Sequence, residues 1–150
     1  RDRIVLAAGS LAADDGATEA ASSAVVTSRK KLLIADDDKI LRTILLAKLK
    51  HLQVSFYEAS DGEEAYQTMV RESIDLCILD SVMPKLDGPG VLNRLNKEGS
   101  RPGGMKVLVL SGRSREEDIH QSVQLGADAY MHKPFSIVEL EHQVKELLKL

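Results

Sequence analysis

Residues 74–80 read Ile-Asp-Leu-Cys-Ile-Leu-Asp, an almost unbroken apolar run that ends on an acidic residue. A strand covered on both faces of a parallel sheet shows such a run, whereas a strand with one wet face alternates apolar and polar residues. The last residue, Asp80, is therefore expected at the carboxyl end of a central strand. A carboxylate there is half buried and costly unless it has partners, so a bare structural role is disfavoured.

Short apolar segments on both sides of this run predict four more strands, at residues 31–35, 54–57, 107–110 and 129–131. The stretches between them carry apolar residues at helical spacing. Strands that alternate with helices are typical of βα units around a parallel sheet. The sequence therefore predicts an α/β domain with helices covering the sheet.

The helices have recognisable starts and apolar faces. An N-cap residue followed three positions later by Glu, the spacing of a capping box, occurs three times. The pairs are Asp61 with Glu64, Ser114 with Glu117, and Ser136 with Glu139. Two apolar stripes predict buried helix faces, one of Leu41, Ile44, Leu45, Leu49 and Leu52, the other of Leu140, Val144, Leu147 and Leu148. Gly126 is a candidate C-cap of the fourth helix.

Length and composition allow one compact domain and a tail. The chain has 150 residues, of which 43% are hydrophobic, and 20 basic against 23 acidic residues give a net charge of -3. This balance disfavours direct binding of nucleic acid. No apolar run is long enough for membrane insertion. A single cysteine, Cys77, excludes an internal disulfide and fits a reducing, cytoplasmic location.

The amino-terminal segment differs from the rest in composition. Residues 7–24 are mostly Ala, Gly, Ser, Thr and acidic residues, which favours a linker or remnant over an Ala-rich helix packed on the domain. We therefore expect residues 1–29 to connect to an upstream segment and residues 30–150 to form the domain. The first residue is Arg1 and not Met, which is compatible with a piece of a longer protein.

Polar residues follow the predicted strands where each of them ends. Asp36 and Asp37 follow the first strand, Asp80 ends the third, Ser111 follows the fourth and Lys133 the fifth. Ligands of open parallel sheets bind outside the carboxyl ends of the strands, so these side chains are expected to converge if the strands are neighbours. Clustered carboxylates need a cation, and Mg²⁺ is the natural choice among hard divalent ions.

Each of these residues alone has a plainer interpretation. Asp38 fits a helix N-cap, Ser111 alone would be a strand-end cap, and a lone Lys133 would more often be a surface lysine. Three consecutive acids exceed what one cap requires. The constellation, and not any single member, predicts a site.

Four separate motifs in the same order resemble those of the receiver domain of two-component response regulators. They are Asp36 with Asp37, residues 80–88 (Asp-Ser-Val-Met-Pro-Lys-Leu-Asp-Gly), Ser111 with Gly112, and residues 133–135 (Lys-Pro-Phe). Arg42 in the first helix and Asp61 with Gly62 before the second match as well. The resemblance covers residues 30–150 and implies a flavodoxin-like (βα)5 sheet in order 2-1-3-4-5, with two helices on one face and three on the other.

The resemblance also implies roles for the residues at the sheet edge. Asp80 would accept a phosphoryl group. Asp37 would bind Mg²⁺ directly, Asp36 through water, and the Val82 backbone carbonyl would be a further ligand beside Asp80. Ser111 and Lys133 would hold phosphoryl oxygens, and a cis bond is expected between Lys133 and Pro134. Phosphoryl transfer needs mainly positioning and charge neutralisation, which agrees with these residue types.

Signalling in such domains needs an element with two states. The resemblance implies that Ser111 moves toward the phosphoryl group and that Tyr130 turns inward, which shifts the fourth helix, fifth strand and fifth helix. Ser111 stands where many relatives have Thr. Ala129 stands where one dimer-forming subfamily has an acid, so that subfamily's interface is not implied. Val82 and Arg113 flank the site and suggest slow loss of the phosphoryl group.

The implied partners are a histidine kinase or histidine phosphotransfer protein as donor and an output domain or protein downstream. Such a domain catalyses only its own phosphorylation and dephosphorylation and is no enzyme in the usual sense. A connecting segment on the amino side hints at a receiver that follows another domain.

Three other functions are compatible with parts of the pattern. A Mg²⁺-dependent phosphohydrolase would normally carry a second Asp two residues after its nucleophile, where this chain has Val82. A receiver-like interaction module that is never phosphorylated remains the alternative, although its acceptor and metal positions are all filled. A flavin-binding module is disfavoured because the acids after the first strand would repel phosphate.

Overall fold

The computed structural model describes residues 29–112 and 116–150 of the chain. Five parallel strands form one sheet in the order β2-β1-β3-β4-β5, which confirms the predicted topology. The strands are β1 (Lys31–Ala35), β2 (Ser55–Ala59), β3 (Leu76–Asp80), β4 (Lys106–Ser111) and β5 (Ala129–His132). The helices are α1 (Lys39–Leu49), α2 (Gly62–Glu72), α3 (Gly88–Glu98), α4 (Glu116–Gln124) and α5 (Ile137–Leu148), and a short 3-10 turn (Lys50–Leu52) follows α1.

Four of the predicted strands have different limits: β4 extends by one residue at each end, β5 by one residue at its carboxyl end, and β2 and β3 differ more. β3 begins at Leu76 and not at Ile74, because the N–H of Ile74 donates to the Met69 carbonyl at the end of α2. β2 continues to Ala59, beyond the apolar run. Since β2 is an edge strand, its solvent-facing position is filled by a polar residue, Glu58, without interrupting the pairing with β1.

The sheet separates two hydrophobic clusters, because successive side chains of a strand point to opposite faces. In β3, Cys77 and Leu79 join the cluster under α2 and α3, with the Ala127 segment after α4, whereas Leu76 and Ile78 join the cluster under α1 and α5. Both faces of β3 are thus covered, as its continuous apolar run predicts. Three helices on one face and two on the other agree with the predicted arrangement.

The predicted helix starts are largely confirmed. The Asp61 carboxylate accepts a hydrogen bond from the Glu64 N–H at 2.8 Å, and Ser136 Oγ accepts one from the Glu139 N–H at 3.3 Å. The Glu64 carboxylate reaches back to the Ser60 N–H. The third predicted box begins at Ser114, which lies outside the described residues, as do residues 1–28 of the predicted linker.

One residue of the predicted α1 stripe was assigned to the wrong face. Leu45 and Leu49 are fully buried, but Ile44 is 43% exposed. Residues four apart share one helix face, whereas Ile44 is rotated by about 100° from Leu45, so its side chain points toward solvent. In α5, by contrast, Leu140, Val144 and Leu148 are buried as predicted.

The end of α4 follows the predicted glycine cap. Gly126 has a φ of 109°, and its N–H donates to the Val123 carbonyl while the next N–H, of Ala127, donates to the Ser122 carbonyl. This pair of bonds is a Schellman motif, which favours glycine at the left-handed position. Among the described residues no helix has the length and apolar character needed to cross a membrane.

Candidate functional site

Three carboxylates and one ammonium meet at the carboxyl edge of the sheet. Lys133, after β5, places Nζ 3.0 Å from Asp36 Oδ2 and 3.2 Å from Asp80 Oδ1. The carboxylate oxygens of Asp36, Asp37 and Asp80 lie within 4.8 Å of one another. Because β3 is flanked by β1 and β4, the parallel strands carry their terminal residues to one edge, as the sequence analysis anticipates.

The charges of this cluster are not balanced by its own side chains. Asp36 is 3% exposed and Asp80 6% exposed, while Asp37 faces solvent. Burial, and then the charge of Asp36, raises the pKa of Asp80, although Lys133 opposes the shift. For Lys133, burial lowers the pKa, but the hydrogen bond that its ammonium donates to Asp36 and the charges of both aspartates outweigh burial and raise the pKa. One ammonium therefore faces three carboxylates, two of them poorly hydrated.

The donor set fits a hard divalent cation. Carboxylate oxygens are the ligands that such ions prefer, and a cation would relieve the repulsion that raises the pKa of Asp80. Asp37 and Asp80 present oxygens to the same small volume, and Asp36 lies beside them. The side-chain chemistry of this edge is thus compatible with the predicted metal site.

Asp36 is held rigidly by its surroundings. Its Oδ1 accepts a hydrogen bond from the Asp38 N–H at 2.9 Å, and its own N–H donates to the Ala59 carbonyl at 3.0 Å. Arg42 Nη1 donates to the Asp36 carbonyl at 2.7 Å, and Arg42 Nε pairs with Glu58 at 2.9 Å. Arg42, one of the residues that match the receiver family, thus links α1 and β2 to Asp36, which in turn holds Lys133.

Asp80 is positioned by the close packing of α3 against the end of β3. A Cβ on Gly88 would lie 2.8 Å from the Asp80 carbonyl oxygen and 2.9 Å from Ser81 Cα, so only glycine fits there without a shift. The Gly88 N–H donates to the Ser81 carbonyl at 3.0 Å. This contact was not predicted from the sequence, although the N-cap residue Asp87 and the proline just inside α3 are recognisable signals of a helix start.

The loop between β3 and α3 is also clamped by α2. The Gly62 N–H donates to the Pro84 carbonyl at 3.3 Å, and a Cβ on Gly62 would overlap the Leu86 carbonyl oxygen. Lys85 in this loop has a φ of 69° and pairs with Asp61 at 3.5 Å. The start of α2 therefore fixes the path of the residues that follow Asp80.

Ser111 and Tyr130 lie on the face of the sheet that α2, α3 and α4 cover. Ser111 ends β4 and is fully buried, and its Oγ accepts a hydrogen bond from Ser81 Oγ at 2.7 Å. Its carbonyl accepts the Lys133 N–H at 2.8 Å. Tyr130 is half-buried against the same cluster. Ser81 was not predicted as a site residue, although the pairing of Asp80 with Leu110 places it beside Ser111 once β3 and β4 are aligned.

Three further residues of the sequence analysis concern the rim of the site. Val82 is 53% exposed, and its N–H lies 3.5 Å from Asp80 Oδ1. Arg113, expected to flank the site with Val82, lies outside the described residues. The bond between Lys133 and Pro134 is cis, as the resemblance implies. Cys77 is fully buried, and burial raises the pKa of its thiol, in agreement with inert packing.

Fold and site together define an α/β domain of flavodoxin-like topology with an acid-and-lysine cluster at the carboxyl edge of its sheet. The chain belongs to the response regulator receiver domain family, whose model matches residues 32–145. It is therefore a receiver domain of the two-component response regulators.

Curated relatives agree with this assignment. The chain is 42% identical over 109 residues to the probable transcriptional regulator ycf27 of Cyanidium caldarium, a match that covers 73% of this chain and 42% of the relative. It is 38% identical over 107 residues to the alkaline phosphatase synthesis transcriptional regulatory protein PhoP of Bacillus subtilis (strain 168), covering 71% and 43%. The chain thus spans less than half the length of these relatives.

Solved structures show the same fold. The receiver domain of Francisella response regulator 1452 matches with a TM-score of 0.73 and 33% identity, covering 80% of this chain and 97% of that one. A response regulator receiver domain protein of Methanospirillum hungatei JF-1 matches with a TM-score of 0.74 and 30% identity, covering 81% and 95%.

Proposed function

We propose that Asp80 is the phosphoacceptor of this receiver domain. The observation that carries the proposal is the buried position of its carboxylate, with Lys133 Nζ at 3.2 Å and the acids of β1 beside it. Burial of a carboxylate with a raised pKa lowers the stability of the fold, and such carboxylates are found mainly at functional sites. Phosphoryl acceptance is the task that fits both the residue types and the family.

The transfer involves the exchange of one bond for another. A carboxylate oxygen of Asp80 forms a bond to the phosphorus of a phosphohistidine, and the bond between that phosphorus and the imidazole nitrogen breaks. The electron pair of the broken bond stays on the imidazole nitrogen, and Asp80 becomes an aspartyl phosphate. Lys133 lies where its ammonium neutralises charge that develops on a phosphoryl oxygen.

Mg²⁺ is proposed as the cation of the site. Asp37, Asp80 and the Val82 backbone carbonyl would hold it, with Asp36 acting through water. When bound it would neutralise the phosphoryl oxygens and lower the repulsion between donor and acceptor. The fit of the donor set supports this proposal, since the acids outnumber the ammonium among these side chains.

Ser111 and Tyr130 are proposed as the switch. Ser111 Oγ would turn toward a phosphoryl oxygen on Asp80, and Tyr130 would move into the space left behind. Ser111 ends β4 beside β5, and Tyr130 lies in β5, which supports a response in the α4-β5-α5 surface. The response would be read by an output domain or protein.

The proposed donor is a histidine kinase or a histidine phosphotransfer protein. Ile40 and Val138 are 72% and 80% exposed at the first turns of α1 and α5, which begin at the edge that holds the acid cluster. Large apolar side chains at such a position suit contact with a protein donor. Because such donors act in the cytoplasm, a cytoplasmic location is proposed as well. The net charge of -3 disfavours direct binding of nucleic acid by this domain.

The limits of the functional unit are also a proposal. Residues 30–150 would form the receiver domain and residues 1–29 a connection to an upstream segment. The relatives named above are described as transcriptional regulators, so control of transcription through a separate output region is the candidate role of the longer protein.

Phosphoryl incorporation measured by intact mass tests the proposal. The protein is incubated with acetyl phosphate and Mg²⁺, in parallel with the variant Asp80→Asn. We expect one phosphoryl group on the wild type, none on the variant, and none on either protein after a chelator is added.

Asp38→Asn is a matched control for the acceptor assignment. Asp38 follows the acid cluster directly, but its carboxylate caps α1 by accepting from the Ile40 and Leu41 N–H groups, and asparagine caps a helix equally well. The control should incorporate phosphoryl like the wild type. Incorporation into Asp80→Asn, or none into the wild type with either acetyl phosphate or a phosphohistidine donor, would contradict the proposal and favour an interaction module that is never phosphorylated.

A further inference from the structure

Two buried hydroxyl groups form a pair across neighbouring strands beside the acid cluster. Ser81 Oγ donates a hydrogen bond to Ser111 Oγ over 2.7 Å. Ser81 is 4% exposed and Ser111 is fully buried. A buried hydroxyl that loses its partner is not compensated by water, so this bond matters more than a surface bond of equal length.

The strand register places the two serines together. β3 and β4 pair Asp80 with Leu110, and the Ser81 N–H donates to the Leu110 carbonyl at 3.0 Å. Ser81 and Ser111 therefore continue the pairing by one residue. Each lies two positions after a residue of the cluster under α2 and α3, namely Leu79 and Val109. Asp80 lies between Leu79 and Ser81 and contacts Lys133 instead.

The backbone of Ser81 has little freedom to move. Its N–H is bonded to β4, its carbonyl accepts the Gly88 N–H at 3.0 Å, and its Cα faces Gly88 at a distance that leaves no room for a Cβ there. Ser81 is thus anchored to both β4 and α3. If Ser111 Oγ turns away, the Ser81 hydroxyl does not follow through a shift of its backbone.

We infer that Ser81 is a positioning residue that holds the Ser111 hydroxyl in its resting position and so sets the threshold of the switch. The inference rests on the proposed role of Ser111 as the hydroxyl that turns toward the phosphoryl group. That turn breaks the bond between the two serines, and the buried Ser81 hydroxyl loses the acceptor that it has in the resting structure. The resting state is favoured by this difference, and phosphorylation has to overcome it.

The affinity for beryllofluoride tests the inference, since with Mg²⁺ this anion mimics a phosphoryl group on a carboxylate. The chain has three tyrosines, so protein labelled with 3-fluorotyrosine gives three fluorine resonances, and Tyr130→Phe identifies that of Tyr130. Titration of Ser81→Ala should show half-saturation of the Tyr130 shift at about fivefold to thirtyfold lower beryllofluoride than in the wild type.

Two substitutions at the same position keep the test independent of folding defects. Ser81→Thr retains the hydroxyl and should bind beryllofluoride like the wild type. Ser81→Cys replaces the hydroxyl with a thiol, a weaker hydrogen-bond donor of similar size, and should give a gain in affinity smaller than that of Ser81→Ala. Thermal unfolding of each variant shows whether it is folded under the conditions of the titration.

A double-mutant cycle separates an effect through Ser111 from a general change in packing. In the Ser111→Ala background, Ser81→Ala should leave the beryllofluoride affinity unchanged. Unchanged or lower affinity in Ser81→Ala, or the same gain with and without the Ser111 hydroxyl, would overturn the inference. A wild type that binds no beryllofluoride would instead contradict the proposed function itself, and intact-mass incorporation at Asp80 distinguishes that case.

Discussion

Lys133 is the residue on which the electrostatics of the edge depend most. Its ammonium lies between two buried carboxylates, at 3.0 Å from Asp36 and 3.2 Å from Asp80. The same group is proposed to neutralise a phosphoryl oxygen during transfer. The positive charge of Lys133 should therefore weaken the binding of a metal ion and, at the same time, favour transfer of the phosphoryl group.

Replacing the ammonium should separate these two effects. We expect Lys133→Met to bind Mg²⁺ more tightly, because one positive charge leaves the acid cluster. We also expect its phosphorylation rate to fall by about 100-fold or more, in the range found when one group that stabilises a developing oxyanion is removed. Metal titration and the time course of intact mass measure the two quantities on one sample.

Lys106→Met provides the matched control, because Lys106 begins β4 at the opposite edge of the sheet. It should change neither quantity. A Lys133→Met protein that phosphorylates at the wild-type rate would show that the lysine acts only in the resting structure.

The charge of Asp80 should cost stability in the absence of a metal ion. Its pKa in the folded protein is raised, first by burial and then by Asp36. A carboxyl whose folded pKa exceeds its unfolded value contributes most to stability when it is protonated, and the contribution is lost as pH rises through the folded pKa. We therefore expect Asp80→Asn to have a higher free energy of unfolding than the wild type at pH 7 without Mg²⁺. The difference should shrink as pH falls toward the ordinary range of an aspartic acid, about pH 4.

Urea unfolding at several pH values, with and without Mg²⁺, measures this effect. Bound metal should stabilise the wild type by about 1.4 kcal/mol at ten times its dissociation constant, and the Asn variant by less. A variant that is less stable than the wild type at neutral pH would show that the Lys133 ion pair outweighs the burial of Asp80.

At the scale of elements, the contact between α3 and the end of β3 controls the position of Asp80. We expect Gly88→Ala to destabilise the fold by about 1–3 kcal/mol, because the added methyl group forces the helix and strand apart. The same displacement moves the acceptor relative to Lys133, so phosphorylation should slow as well. Unfolding by urea and intact-mass kinetics give the two values.

Gly103→Ala is a suitable control, since a Cβ on Gly103 meets no atom within 4 Å. It should leave stability and phosphorylation near the wild-type values. If Gly88→Ala phosphorylates normally despite lower stability, the packing of α3 contributes to folding without positioning the acceptor.

The elements show which features the sequence could predict. The two-sided burial of β3 and the caps at Asp61 and Ser136 depend on local patterns, and these predictions were correct. The strand order was also predicted correctly, but it came from the resemblance to receiver domains and not from a local pattern. The face of Ile44 was wrong because a stripe of five apolar residues is wider than the surface that α1 buries. The first and last residues of β2 and β3 are set by hydrogen bonds between elements, which cannot be inferred from the periodicity of apolar residues.

The acid cluster was also accessible from sequence, because parallel strands bring their carboxyl ends to one edge. The contacts that hold the acid cluster in place were harder to predict from the sequence. The Arg42 contact with the Asp36 carbonyl, the fit of Gly88 against β3 and the bond from Ser81 to Ser111 each join residues of different elements or of an element and a loop. Their recognition required the strand register and the helix positions, which follow only from the complete fold.

At the scale of the whole molecule, the sheet separates the proposed chemistry from the proposed response. Lys133 and Asp80 follow strand positions that pack under α1 and α5, whereas Ser111 and Tyr130 continue positions that pack under α2, α3 and α4. A phosphoryl group at the carboxyl edge would be in reach of both sides. This placement gives a physical reason why one modification at the edge could act on Ser111 and Tyr130, which lie on the face opposite to that of Asp80 and Lys133.

We predict that residues 30–150 are sufficient to form the folded domain. In the described part of the chain, the five strands, both hydrophobic clusters and the four residues of the acid-and-lysine cluster lie in this range. A protein of residues 30–150 should therefore unfold within about 0.5 kcal/mol of the full chain, which is the range of changes away from structural contacts. It should also show the same dependence of unfolding on denaturant, because the same surface becomes exposed.

Urea unfolding of both proteins, followed by phosphoryl incorporation from acetyl phosphate, tests the boundary. Loss of more than about 1 kcal/mol on truncation would show that residues 1–29 pack on the domain, which is the Ala-rich helix considered in the sequence analysis. Equal stability with reduced phosphorylation would instead place a contribution of these residues at the acid cluster itself. If the free energy of unfolding and the phosphoryl incorporation are the same in both proteins, residues 30–150 are the unit that folds and accepts the phosphoryl group. The contacts described around Asp80 would then be sufficient for its chemistry without residues 1–29.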